Sequence, residues 1–114
     1  MLEKFAVYLK DINESIESIE NFIEEMTQEQ FEDDDKTSSA VIRKLEIIGE
    51  ASKYIPKVIR NKYTEIPWKE MAGMRDKLIH AYSKVDSKLV WMTIKHRIPE
   101  IKPLLKKILD ELSD

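Results

Sequence analysis

The segment GMRDKLIHAYSKVD, Gly73 to Asp86, brings together an arginine, one of the chain's two histidines, a tyrosine and two aspartates. Arg75 carries a permanent charge on a planar fork of donors, a shape suited to phosphate. His80 can take or give a proton near neutral pH. Together they supply what metal-free cleavage of an RNA phosphodiester needs: a base for the ribose 2′-hydroxyl and a cation for charge developing on the phosphorus oxygens. Asp76 could orient a partner group, or simply favour the first turn of a helix. Taken alone, Tyr82 reads as a packing residue with a wet hydroxyl.

The spacing sets a geometric problem. On a continuous helix, residues five apart differ by about 140° around the axis and about 7.5 Å along it. Arg75 and His80 would then face different ways. Their convergence requires a helix end between them, a long arginine reaching around, or a second copy of the chain. The plainer alternative is an arginine and a histidine that cap carbonyls or form a surface ion pair at a helix terminus.

The elements that must position this segment read as helices. Phe5, Leu9, Ile12, Ile16, Ile19, Ile23 and Met26 recur at intervals of three and four, the period of one buried stripe. Thr27 and Gln30 have the spacing of a capping box, starting a short helix through QEQFEDD; the acidic run EDDD is expected to end in a solvated turn. A long helix is predicted from about Ser38 to Tyr54, with Val41, Leu45, Ile48 and Ser52 on one stripe and Ile42 and Ile55 beside it. Gly49 in its middle costs roughly 1 kcal/mol of helix propensity relative to alanine, which close approach of a neighbouring helix would offset. Pro56 and Pro67 can each open a short helical piece. Asp86 is a good N-cap for a last helix running toward Leu109, with a kink or break expected at Pro99 and Pro103. The fold class is therefore all-α: an up-and-down bundle of about four principal helices plus short helical connectors, as a single domain over residues 1–114.

Composition narrows the function classes. With 114 residues and only two glycines, the chain suits one helical domain better than a multi-stranded sheet. It contains no cysteine, so disulfides and thiolate metal sites are excluded. No apolar run approaches the roughly 20 residues that cross a bilayer, and the start of the chain lacks a signal-peptide pattern, so a cytoplasmic protein without membrane contact is the simplest reading. The net charge of −3 conceals an asymmetry: residues 1–35 hold two lysines against twelve acids, and residues 36–114 hold seventeen bases against ten acids. A positive surface for an anionic partner is one consequence; an acidic first helix lying beside basic neighbours is the other.

Other candidates read as structural. Glu46 and Glu50 are one turn apart, but the Glu-x-x-His partner of a di-metal bundle is absent. Arg43 and Glu46 have the spacing of a local ion pair. His96 and Glu100 are separated by Pro99, and Trp68 and Trp91 fit packing better than base stacking. No metal or cofactor is expected.

RDKLIHAY resembles the R-x4-H-x-Y motif of the HepT-like branch of the HEPN family. The likeness continues in AVIRKLEIIGEASKYIP, YTEIPWKEMAGM and VDSKLVW, covering approximately Met1 to Pro103. The resemblance implies a helical bundle that forms a homodimer, with two motifs facing each other across the interface. It implies a metal-independent RNase toxin, encoded beside a minimal nucleotidyltransferase antitoxin that neutralises it by transferring AMP to the motif tyrosine. Arg75 would bind the scissile phosphate, His80 would act as general acid or base, Asp76 would support the site, and Tyr82 would contact RNA and be the modified residue. Arg43 and Lys84 would add positive charge to the RNA groove. Ser83 and Lys84 depart from the aromatic-glycine continuation many relatives carry after the tyrosine. A non-catalytic helical partner, or a nucleotide-binding subunit of a nucleotidyltransferase, is the alternative function.

Overall fold

The computed structural model describes the backbone of residues 2–80 and 84–113 and the side chains of residues 4–78 and 85–112. Helix α1 (Leu2–Phe22) buries the stripe expected of it, from Phe5 through Leu9, Ile12, Ile16 and Ile19 to Ile23 just beyond its end. The capping box forms as the spacing predicts. Thr27 N–H donates to Gln30 Oε1 at 2.9 Å, and Gln30 N–H donates to Thr27 Oγ1 at 3.2 Å, opening α2 (Gln28–Asp33). The acidic run does not end in a turn of its own. Asp34 closes α2 and caps α3 (Asp35–Lys53), accepting from Thr37 N–H at 3.0 Å and from its hydroxyl at 2.8 Å. The long helix thus starts three residues before Ser38, because a carboxylate able to satisfy its first donors stands there.

Pro56 and Pro67 each precede a short helix, α4 (Lys57–Lys62) and α5 (Trp68–Ala72), and α6 (Met74–Leu78) follows directly after Gly73. A two-residue antiparallel ladder joins β1 (Ile79–His80) to β2 (Lys84–Val85), with Ile79 opposite Val85 and His80 opposite Lys84. Asp86 caps α7 (Ser87–Met92), accepting from Leu89 N–H at 3.0 Å. The helical rod then widens into a π-helical stretch over Thr93–Arg97 before α8 (Ile98–Ser113). The widening lies just ahead of Pro99, whose ring would otherwise press on the carbonyl of Lys95. No break occurs at Pro103. The helix runs through it on an exposed side, where water can satisfy the freed carbonyl of Pro99.

The protein is all-α apart from that ladder, as the periodicity predicts. Helix α1 packs along α3 and α8, α5 and α6 lie across α3, and α2 sits against α7. One apolar core joins them: Val41, Leu45 and Ile48 of α3 meet the α1 stripe, Met71, Met74 and Leu78 enter from α5 and α6, and Ile98, Ile101, Leu105 and Ile108 enter from α8. Both tryptophans are buried. Trp68 donates Nε1–H to Tyr63 O at 3.0 Å, and Trp91 lies with its ring centroid 5.3 Å from that of Phe31. The acidic first helix does lie beside a basic neighbour, with Lys102 Nζ 2.6 Å from Glu20 Oε1. That carboxylate is the main cause raising the Lys102 pKa above its ordinary value.

Candidate active site

Two apolar anchors hold the motif helix. Met74 and Leu78, four residues apart in α6, are buried, which turns Arg75, Asp76 and Lys77 outward. Gly73 ends α5 by donating to Lys69 O at 3.1 Å and starts α6 by accepting from Lys77 N–H at 3.1 Å. The helix stops at Leu78, whose carbonyl accepts from Asp86 N–H at 3.1 Å. The His80 backbone is already extended and pairs with Lys84. Of the three ways to reconcile Arg75 with His80, a helix end between them is therefore present. It also brings Lys84 opposite His80 along the ladder. Tyr82 lies outside the described residues, as do the side chains of His80 and Lys84.

Arg75 is gripped from another helix. Its Nε donates to Glu46 Oε2 at 3.0 Å, and its Nη1 lies 3.5 Å from Asp76 Oδ1. The arginine side chain keeps 52% of its surface in solvent, against 32% for Glu46 and 83% for Asp76. One edge of the guanidinium is thus held closely, while its Nη end meets only the looser contact with exposed Asp76. The local Arg43–Glu46 pair suggested by spacing does not form, because Glu46 turns to Arg75 across the α3–α6 contact. Arg43 is exposed and lines, with Glu46, Tyr8 and Tyr54, a shallow cleft of about 240 Å³ between α1 and α3. Glu50, which could have joined Glu46 as a carboxylate pair, lies 3.5 Å from Lys53 Nζ.

Glu46 is the partner of Arg75 that reading the motif alone misses. The signal that pointed toward it is Gly49, one turn further along the same helix. A Cβ at Gly49 would stand 3.2 Å from Met71 O and 3.4 Å from Ala72 O, so the end of α5 seats directly on α3 there. A glycine in mid-helix marked the close approach, and the acid one turn earlier on that face meets whatever follows α5.

The second histidine lies in a different setting. His96 lines a groove of about 280 Å³ between α6 and the π-helical stretch, together with Met74, Lys77, Met92 and Arg97. Arg97 is tied down twice, its Nε donating to Glu70 Oε2 at 2.5 Å and its Nη1 to Glu100 Oε2 at 2.6 Å. Glu70, and then Glu100, raise the Arg97 pKa above its ordinary value. Glu100 is thereby engaged by Arg97. Among the described residues, no three His, Asp or Glu side chains gather as a metal ion would need.

The model for ribonucleases of the HepT-like type matches residues 12–108. The chain belongs to the HepT-like ribonuclease family. It is 55% identical over 101 residues to a probable ribonuclease HepT of Thermococcus cleftensis, covering 89% of this chain and 92% of that one. It is 51% identical over 107 residues to a putative RNase of Methanocaldococcus jannaschii, covering 94% and 92%. A putative RNase of Caldanaerobacter subterraneus is 43% identical over 104 residues, 91% of this chain and 93% of that relative. No solved structure matches. Within this HepT-like chain the whole motif segment, Gly73 to Asp86, lies inside the matched range. No helix among the described residues is long and apolar enough to cross a membrane.

Proposed function

We propose that this chain is a metal-independent endoribonuclease with Arg75 and His80 as its catalytic pair. The observation that carries the reading is Arg75: an exposed guanidinium held by Glu46 at one edge, on a helix that ends before His80. Membership of the HepT-like ribonuclease family and the RNase names of its relatives support the substrate class. In the reaction, a base takes the proton of the ribose 2′-hydroxyl, whose oxygen attacks the adjacent phosphorus. The bond to the 5′-oxygen breaks, an acid protonates that leaving oxygen, and a 2′,3′-cyclic phosphate remains. His80 serves as base or acid, and Arg75 offers its Nη donors to the non-bridging oxygens as negative charge builds on them. Asp76 supports Arg75, and Arg43 and Lys84 extend the positive surface along the RNA.

The same reading makes the working site a homodimer, each subunit's exposed motif face completing the other's. A minimal nucleotidyltransferase would act as antitoxin by attaching AMP to Tyr82. The added phosphate would repel the RNA backbone and the nucleotide would fill the groove. The test is cleavage of total RNA by the purified protein in excess EDTA, with His80→Ala prepared in parallel. Cleavage by the wild type alone, leaving cyclic phosphate ends, is the expected outcome. Absence of cleavage by both proteins overturns the reading in favour of a non-catalytic partner of a nucleotidyltransferase.

A further inference from the structure

We infer that Glu46 is the positioning residue of the proposed ribonuclease site, fixing the direction in which Arg75 presents its phosphate-binding edge. The inference rests on the reading of Arg75 as the phosphate-binding group. Glu46 lies on α3, 29 residues before Arg75, and its Oε2 takes the Nε–H at 3.0 Å. A carboxylate at Nε leaves the Nη end of the fork with only the looser contact to Asp76, 3.5 Å from Nη1 on a side chain 83% exposed. A carboxylate across both Nη atoms would have occupied the donors that a scissile phosphate needs.

Two features beside the hydrogen bond fit this role. Gly49, one turn beyond Glu46, lets the Met71 and Ala72 carbonyls approach α3, and Met74 and Leu78 sink into the core. The backbone under Arg75 is therefore fixed by packing, and Glu46 restrains the long, half-exposed side chain that packing leaves loose. The pair is too open to solvent to matter much for folding. Its charge also opposes RNA binding, since a carboxylate beside Arg75 offsets the cation's attraction for a phosphate. A group that orients the cation while weakening substrate binding should raise kcat without lowering KM.

Glu46→Ala and Glu46→Gln separate these effects when measured beside the wild type and Arg75→Ala. In Glu46→Ala, kcat should fall by about tenfold to a hundredfold, the scale of a misplaced reacting group. KM should stay level or drop, and Tm should shift by no more than a few degrees. Glu46→Gln keeps an oxygen to accept from Nε and should recover kcat to within about threefold of wild type, the scale of a hydrogen bond retained without its charge. By NMR, the Arg75 Nε–H, assigned by its loss in Arg75→Lys, should exchange slowly in the wild type and in Glu46→Gln and rapidly in Glu46→Ala. If Glu46→Ala cleaves like the wild type while Arg75→Ala does not, the positioning role is wrong and the ribonuclease site stands. Glutamine failing as alanine does, or an Nε–H equally fast in all proteins, also overturns it. A wild type that cleaves no RNA removes both readings together.

Discussion

Arg75 and Arg97 stand close in type and surroundings, each beside two carboxylates and near a histidine in the chain, yet the fold engages them differently. Arg97 has carboxylates on two of its nitrogens, at 2.5 and 2.6 Å, and ties α8 to α5. Arg75 has a single carboxylate in hydrogen-bond range, on Nε, and a second at 3.5 Å on a highly exposed aspartate. A guanidinium flanked closely by two carboxylates has no positive charge left to offer a phosphate and serves as a brace. One held by its edge keeps donors in reserve. The difference lies in how many donors the fold has already committed, which the residue types do not reveal.

The widest gap between the two should appear on substitution to alanine. Arg75→Ala is expected to lower RNA cleavage by roughly a hundredfold to a thousandfold, the scale of losing a transition-state donor, with little change in Tm. Arg97→Ala should leave cleavage near wild type and cost roughly 1 kcal/mol of stability, as half-exposed pairs do. Parallel cleavage assays and thermal melts check both, and equal activity losses would break the comparison.

Gly49→Leu probes the element the two arginines share, because α5 carries Glu70 to Arg97 and leads into Arg75. The new side chain must enter where even a Cβ meets backbone oxygen at 3.2 Å. Overpacking of this kind costs roughly 1–3 kcal/mol. Denaturant melts should show it, and cleavage should fall as the α5–α6 elbow moves off α3.

The smallest effect should come from Asp34, which caps the helix carrying Glu46 and has no contact with Arg97. Hydrogen bonds from the Thr37 backbone and hydroxyl hold its carboxyl below the ordinary 3.8. As pH falls through that value the unfolded chain takes up the proton first, so the native state loses this stabilisation on the way down to its own lower pKa. Asp34→Asn should flatten the acid limb of Tm against pH between about 5 and 3 and leave Arg97-dependent stability unchanged. An acid limb as steep as the wild type's would remove Asp34 from that account.

What could be read from the order of residues was what neighbours in the chain decide. The α1 stripe, the Thr27–Gln30 box and the Asp86 cap all depend on contacts within about four residues, so spacing alone prescribes them. Gly49 announced a close approach, and the Arg75–His80 spacing announced that something other than a straight helix was needed. The tertiary structure decided the rest. Asp34, not a residue near Ser38, starts α3 because one carboxylate could serve the end of α2 and the start of α3 at once. The strain ahead of Pro99 went into a wider turn, while Pro103 stayed within the helix. Glu46 faced two arginines within reach, one a turn away on its own helix and one 29 residues on, and took the distant one. A local pair on an exposed helix gains only a few tenths of a kcal/mol, too little to hold Glu46 once packing of α5 and α6 onto α3 brings Arg75 alongside.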